Sequence, residues 1–209
     1  MAAVAVHRED PAFARSIRGG ERRGPSVQEK VFNSQTNRLV RSGRATEDEL
    51  RLLKEFLPEA GDFLVVPKRP DLIDLDRLMK LVVLNGMCGR SSFRFNYLTD
   101  EIIVPKGPYI IVGIEDGRAR LNIVPVESKR AIKEKKRFGF TVFEGVIYAA
   151  MFPVLVHHAI DCVGSRVNSA STPYISLEEY GPDLYFGGET VADPNSGAPS
   201  CSKRIGLEV

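Results

Sequence analysis

The chain has 209 residues, 43% of them hydrophobic and 27% charged, with a formal net charge of +2. These values lie near the average for globular proteins and exclude a collagen-like or largely disordered chain. They also give no electrostatic case for a nucleic-acid partner from net charge alone. The longest apolar stretch, residues 142–160, is interrupted by Glu144, Gly145, Pro153, His157 and His158. It reads as a buried helix rather than a membrane span, which needs ~20 mostly apolar residues. The three cysteines, Cys88, Cys162 and Cys201, form no C-x-x-C pair, so neither a disulfide framework nor a zinc pattern is expected. The start lacks a charged segment followed by a long apolar one, and a reducing cytoplasm is the expected compartment.

Residues 1–25 combine Arg, Gly, Pro and Glu without apolar periodicity and read as a basic tail, followed by one α+β domain over 26–209. Ser26-Val-Gln-Glu29 is a capping box, and Val27, Val31, Leu39 and Val40 form the stripe of a helix that Gly43 stops. Thr46-Glu-Asp-Glu49 repeats the device for a shorter helix ended by Pro58. Two helices joined so closely predict an antiparallel hairpin over 26–60. Phe63-Leu-Val-Val66 is a buried-strand run.

A third helix is expected from Asp71 or Asp74 until Asn85-Gly86 stops it. The Asp71, Asp74, Asp76 group lacks the register of a calcium loop, and helix capping accounts for it better. Tyr109-Ile-Ile-Val-Gly-Ile114 is the most strand-like run. Asp116-Gly117 reads as a hairpin turn, with residues 120–124 as the returning strand. Pro125 opens a basic helix, and Thr141-Val-Phe-Glu144 caps the apolar one. Short β-rich runs at 162–167, 172–177 and 184–186 follow, then a polar loop over 187–200. The expected fold is α+β, a helical hairpin packed on a mixed or antiparallel sheet around a single core.

From Pro108 onward the succession of motifs resembles a bacterial domain family of unknown function. The residues that carry it are Pro108-Tyr-Ile-Ile-Val112, Asp116-Gly-Arg118, Leu121-Asn-Ile-Val-Pro125, Thr141-x-x-Glu144-Gly145, Gly164-Ser-Arg166, Pro173-x-Ile-Ser176 and Ser200-Cys201. That family's C-terminal stretch is rich in tryptophan, whereas this chain has none. The resemblance implies a fold unit and no activity.

Gly164, Ser165 and Arg166 are candidates for a small anionic ligand, because backbone N–H groups in a glycine turn and a guanidinium fork suit an anion. The alternative makes Arg166 a structural partner of a carboxylate such as Asp161. Ser200 and Cys201 end the polar loop and complete the candidate ligand site, which a protein partner could equally use. Cys201 or Cys162, with His157 or His158, would be the nucleophile of a cysteine enzyme if a neighbouring cation lowered the thiol pKa. The adjacent histidines point ~100° apart on a helix, which argues against one shared metal. Neither a cofactor nor a metal is called for. Lys129, Arg130, Lys133 and Lys136 lie in a run of six cations over 126–137, a candidate face for nucleic acid or an acidic partner. The leading expectation is a non-catalytic binding or accessory module.

Overall fold

The computed structural model describes residues 24–92 and 98–206; the tail expected over residues 1–25 lies almost wholly outside them. Helix α1 (Val27–Arg41) starts at the Ser26 capping box and ends as Gly43, at φ 68°, turns the chain away. Helix α2 (Glu47–Arg51) opens on the Thr46 capping box and tightens into a 3-10 turn, Leu52–Phe56. Phe32 and Leu39 of α1 join Leu50 and Leu53 in the main core and Val31 and Val40 pack against it, whereas Val27 of the expected stripe is exposed.

Strand β1 (Phe63–Val66) follows and is buried throughout. One edge of β1 is filled by a side chain. Gln35 of α1 donates to the Phe63 carbonyl at 3.0 Å and accepts from the Val65 N–H at 2.7 Å. A buried strand edge must satisfy its backbone groups somewhere, and here an amide does it.

Helix α3 is shorter than expected, Leu75–Met79, with Asp74 as its N-cap. Asn85-Gly86 does not stop this helix. Both residues have positive φ, 51° and 76°, and they turn a small hairpin of β2 (Val83–Leu84) and β3 (Met87–Cys88). Asn-Gly serves either a helix end or a two-residue hairpin, and the short flanking strands decide for the hairpin. Strands β4 (Arg90–Ser91) and β5 (Leu98–Asp100) lead to β6 (Tyr109–Val112).

The hairpin expected at Asp116-Gly117 is absent. Gly117, at φ 100°, opens a 3-10 turn over Arg118–Arg120, and residues 120–124 form no strand. Both edges of β6 are already occupied, one by β1 and the other by β14 (Lys203–Gly206), each antiparallel. A returning strand has no free ladder to join.

Helix α4 (Pro125–Glu134) has its proline at the first position, and β7 (Phe138–Gly139) follows. Helix α5 (Val142–Met151) is buried at nine of its ten positions, Val142 through Ala150. The remaining strands are β8 (Ala159–Asp161), β9 (Ser165–Val167), β10 (Ser171–Glu178), β11 (Gly181–Gly188), β12 (Ser196–Gly197) and β13 (Ser200–Cys201).

Strands β12, β8, β10, β11 and β4 lie side by side in a mixed sheet that β9 and β5 extend to seven strands. The β12–β8 and β11–β4 pairs are parallel and the others antiparallel. The apolar face of this sheet, with Ile160, Ile175 and Leu184, joins the core that includes α5. Gly145 permits the approach, since a Cβ there would lie 2.5 Å from the Cys162 sulfur. The architecture is α+β around one main core.

Candidate functional site

Strand alternation sends one face of the mixed sheet to the core and leaves the other free to build a site. On β10 the core-facing Ile175 is flanked by Thr172, Tyr174 and Ser176. Asp161 of β8 lies opposite Tyr174, and Tyr185 of β11 lies opposite it on the other side. Asp183 faces Ser176. The non-core face therefore presents two aspartates with two tyrosines between them, and the rings of Tyr174 and Tyr185 meet edge to face at 6.1 Å.

Over Asp161 this face forms a cavity of about 180 Å³. Its floor is Asp161, Thr172 and Tyr174. Its walls are Pro125, Gly187, Gly188, Val191, Asp193 and Ser196. The loop marked by the sequence at 187–200 thus supplies most of the wall, held to α4 by a bond from the Val126 N–H to the Glu189 carbonyl.

Asp161 is 5% exposed, and the Ser196 hydroxyl donates to its Oδ1 at 2.5 Å. Burial pushes its carboxyl up to about 6; the Ser196 bond opposes this, the Asp193 charge adds to it, and His158 opposes it. The buried His158 ring holds the Ala159 carbonyl through Nδ1 at 2.7 Å, and its Nε2 has no partner. No Lys or Arg lines this cavity.

A second, shallower cavity of about 410 Å³ shares Tyr174 and continues over Ser176, Asp183 and Tyr185 to Glu178 and Tyr180. Asp183 Oδ2 is held by Arg90 Nε at 3.2 Å and by the Ser92 hydroxyl at 2.6 Å, while Oδ1 is buried without a partner.

The residues singled out from the sequence lie elsewhere. The N–H groups of Gly164 and Ser165 donate to the Phe140 and Cys162 carbonyls, so the turn offers an anion no free nest. The Ser165 hydroxyl donates to Asp100 at 2.5 Å and accepts from the Val142 N–H. Arg166 lies 3.7 Å from Glu101, not beside Asp161. Ser200 is fully buried, bonded to Arg120 and Arg137, and both guanidinium groups also approach Glu115. These contacts tie the start of β13 to the 3-10 turn and to the residue before β7.

Cys162 and Cys201 are both fully buried. Burial raises the Cys162 thiol well above its ordinary value, and raises Cys201 to about 11 despite Arg204 and Arg137 nearby. His157 is exposed and His158 buried, so they do not converge. Among the described residues no three His, Cys, Asp or Glu side chains are grouped to hold a metal. Without a thiolate, neither cysteine is set up as a nucleophile. Iodoacetamide at neutral pH is expected to label the exposed Cys88 first and to reach Cys162 and Cys201 only on unfolding. Rapid native labelling of Cys201 would reinstate the cysteine-enzyme reading.

The basic run is partly spent on the fold. Lys129 pairs with Glu101, Arg137 turns inward to the Gly113 carbonyl and Ser200, and Arg130 sits 4.0 Å from Glu134. Lys133 and Lys136 are exposed, but α4 ends at Glu134 and Lys136 has a positive φ of 54°. The two lysines therefore do not continue one helical face. Cations gather instead at a cleft of about 650 Å³, where Lys68, Arg69 and Lys106 stand between prolines. Arg69 there is engaged by Asp100.

The sequence pattern that could have pointed to the sheet face was the alternation Thr172-x-Tyr174-x-Ser176, which marks a polar face of a strand. Nothing local marked Asp161. No helix among the described residues is long and apolar enough to cross a membrane. No curated protein and no solved structure matches the chain. A family model does match, over residues 25–190, which takes in the helical hairpin as well as most of the β region. The chain belongs to that family, a family of unknown function (DUF5701).

Proposed function

We propose that this protein is a non-catalytic cytoplasmic binding module whose ligand carries a protonated amine, held in the cavity over Asp161 and Tyr174. One observation carries the reading: a partly open cavity on the sheet face is lined by two carboxylates, Asp161 and Asp193, and by no Lys or Arg. Asp161 is buried and the charge of the exposed Asp193 adds to the cost of its ionisation, and a bound cation relieves both that repulsion and the desolvation of Asp161. Tyr174 adds a π-face, which favours an organic ammonium. A hard metal ion suits the site less well, because such ions take six or more oxygen ligands. A neutral sugar would leave the carboxylates uncompensated.

The sequence expectation of an anionic ligand gives way because the turn amides that would hold it are spent internally. Three free cysteines, two of them in the core, support a reducing compartment. Differential scanning fluorimetry at pH 7.5 tests the reading with butylamine, ethanolamine, glucose and phosphate as probes. The two amines are expected to raise Tm, and Asp161→Asn to remove the effect. A shift with phosphate or glucose and none with the amines would overturn it, and phosphate would redirect attention to the Lys68, Arg69, Lys106 cleft.

A further inference from the structure

The geometry points to a ligand with two amines rather than one: a linear polyamine lying along the sheet face, with one nitrogen at Asp161 and the other at Asp183. The inference rests on the amine-binding reading of the Asp161 cavity and extends it. Its independent support is Asp183. This side chain is more than nine-tenths buried, lines the adjoining cavity, and has an Oδ1 with no hydrogen-bond partner. A buried carboxylate oxygen left unpaired is costly, and a donor from a ligand is one way to satisfy it.

Arg90 and Ser92 both reach the opposite oxygen, Oδ2, so they fix the carboxylate and leave Oδ1 without a partner. Glu178, which accepts from the Ser176 hydroxyl at 2.5 Å, and Glu179 add negative charge at the same end. The one cation lining this second cavity, Arg90, is committed to Asp183 and to the ring of Tyr180, 5.6 Å away.

Strand register sets the separation of the two carboxylates. From Asp161 to Tyr185 is two inter-strand steps through Tyr174, and Asp183 is two residues further along β11. With standard strand spacing and rise, the two backbone positions lie about 12 Å apart. The surface between them is formed by Tyr174 and Tyr185, which suits an aliphatic spacer and any internal ammonium. A short diamine cannot reach both ends, whereas an extended triamine can. Joining two amine contacts in one molecule makes the second contact intramolecular, which multiplies affinity without any new group.

Isothermal titration calorimetry at pH 7.5 and moderate salt, with butylamine, 1,4-diaminobutane and spermidine as probes, tests this. Spermidine is expected to bind at least about tenfold more tightly than butylamine, with 1,4-diaminobutane close to butylamine. Asp183→Asn should bring spermidine down to the monoamine level and leave butylamine unchanged, while Asp161→Asn should abolish both. If Asp183→Asn fails to fold, Tyr185→Ala carries the same test, because Tyr185 is 44% exposed and lines the second cavity but not the Asp161 cavity. Equal affinity for spermidine and butylamine, unaffected by Asp183→Asn and lost in Asp161→Asn, would overturn the two-amine inference and leave the Asp161 reading intact. Failure of both amines to bind the wild-type protein would overturn both.

Discussion

Replacing Arg204 by methionine is expected to destabilise the protein by about 3–5 kcal/mol, the usual consequence of removing one partner from a buried ion pair. Glu144 is fully buried on α5. Its Oε2 accepts from the Thr141 N–H and hydroxyl as part of the capping box, and from Arg204 Nη2 at 2.8 Å. Its Oε1 accepts from Arg204 Nε at 2.6 Å and from the Tyr109 hydroxyl at 2.8 Å. Arg204 also donates to the Gly139 carbonyl and lies over the Phe138 ring at 5.5 Å. One carboxylate thus joins α5 to β6 and β14, and the guanidinium adds β7.

Burial alone would lower the arginine pKa, but the Glu144 bonds and charge outweigh it and hold the guanidinium ionised. Burial and the Glu144 charge likewise keep the Tyr109 hydroxyl protonated, as its donor role requires. Without Arg204 the Glu144 charge keeps only neutral donors in a site with no water contact. A domain's whole stability is about 5–15 kcal/mol, so this loss is a large part of it. Urea denaturation at pH 7.5 measures the change. The double variant Glu144→Gln, Arg204→Met should recover part of the loss, since no buried charge is then stranded. A cost below about 1 kcal/mol for Arg204→Met would show that the pair contributes little.

The same pair shows what the sequence discloses and what it withholds. Glu144 was legible as a capping residue because its partner, Thr141, is three positions away. Its ion pair with Arg204 was not, since the two residues meet only after β14 has joined β6. The other capping boxes, at Ser26 and Thr46, were legible for the same local reason. The structure departs from the expectations at Asp116-Gly117 and Asn85-Gly86 because the residues permit more than one turn and the deciding context is distant. At Gly117 that context is the occupation of both β6 edges by β1 and β14. Gln35 carried no signal in the sequence, because its role, completing the edge of β1, depends on backbone groups about 30 residues away. The candidate site was partly visible: the loop over 187–200 was marked by its composition, and the polar face of β10 by its alternation. Asp161 was not, because Ser196, Asp193 and His158 confer its chemistry from outside its own strand.

Asp161 supports a second prediction of comparable size and opposite sign: Asp161→Asn should stabilise the protein at neutral pH. The folded carboxyl is raised from 3.8 to about 6. Below about pH 4 the group is protonated in both the folded and unfolded chain and contributes nothing. Between about pH 4 and 6 the folded state binds the proton that the unfolded state has released, so stability falls as pH rises. Above about pH 6 the full cost is present, roughly 3 kcal/mol for a shift of about two units. Asparagine can still accept from Ser196 and carries no charge, so the gain in stability of the variant over wild type should grow from near zero at pH 4 to its maximum by pH 7. Urea denaturation of both chains across that range measures it, and a difference that does not change with pH would show that the carboxylate is not strained. A residue that costs stability at neutral pH calls for a compensating role, and under the proposed function a bound ammonium supplies one. It would pull the Asp161 pKa down and expel the proton on binding. Amine affinity should therefore rise with pH up to about 6 and level off above it, in parallel with the stability difference. Both curves would then report the same proton on the same carboxylate.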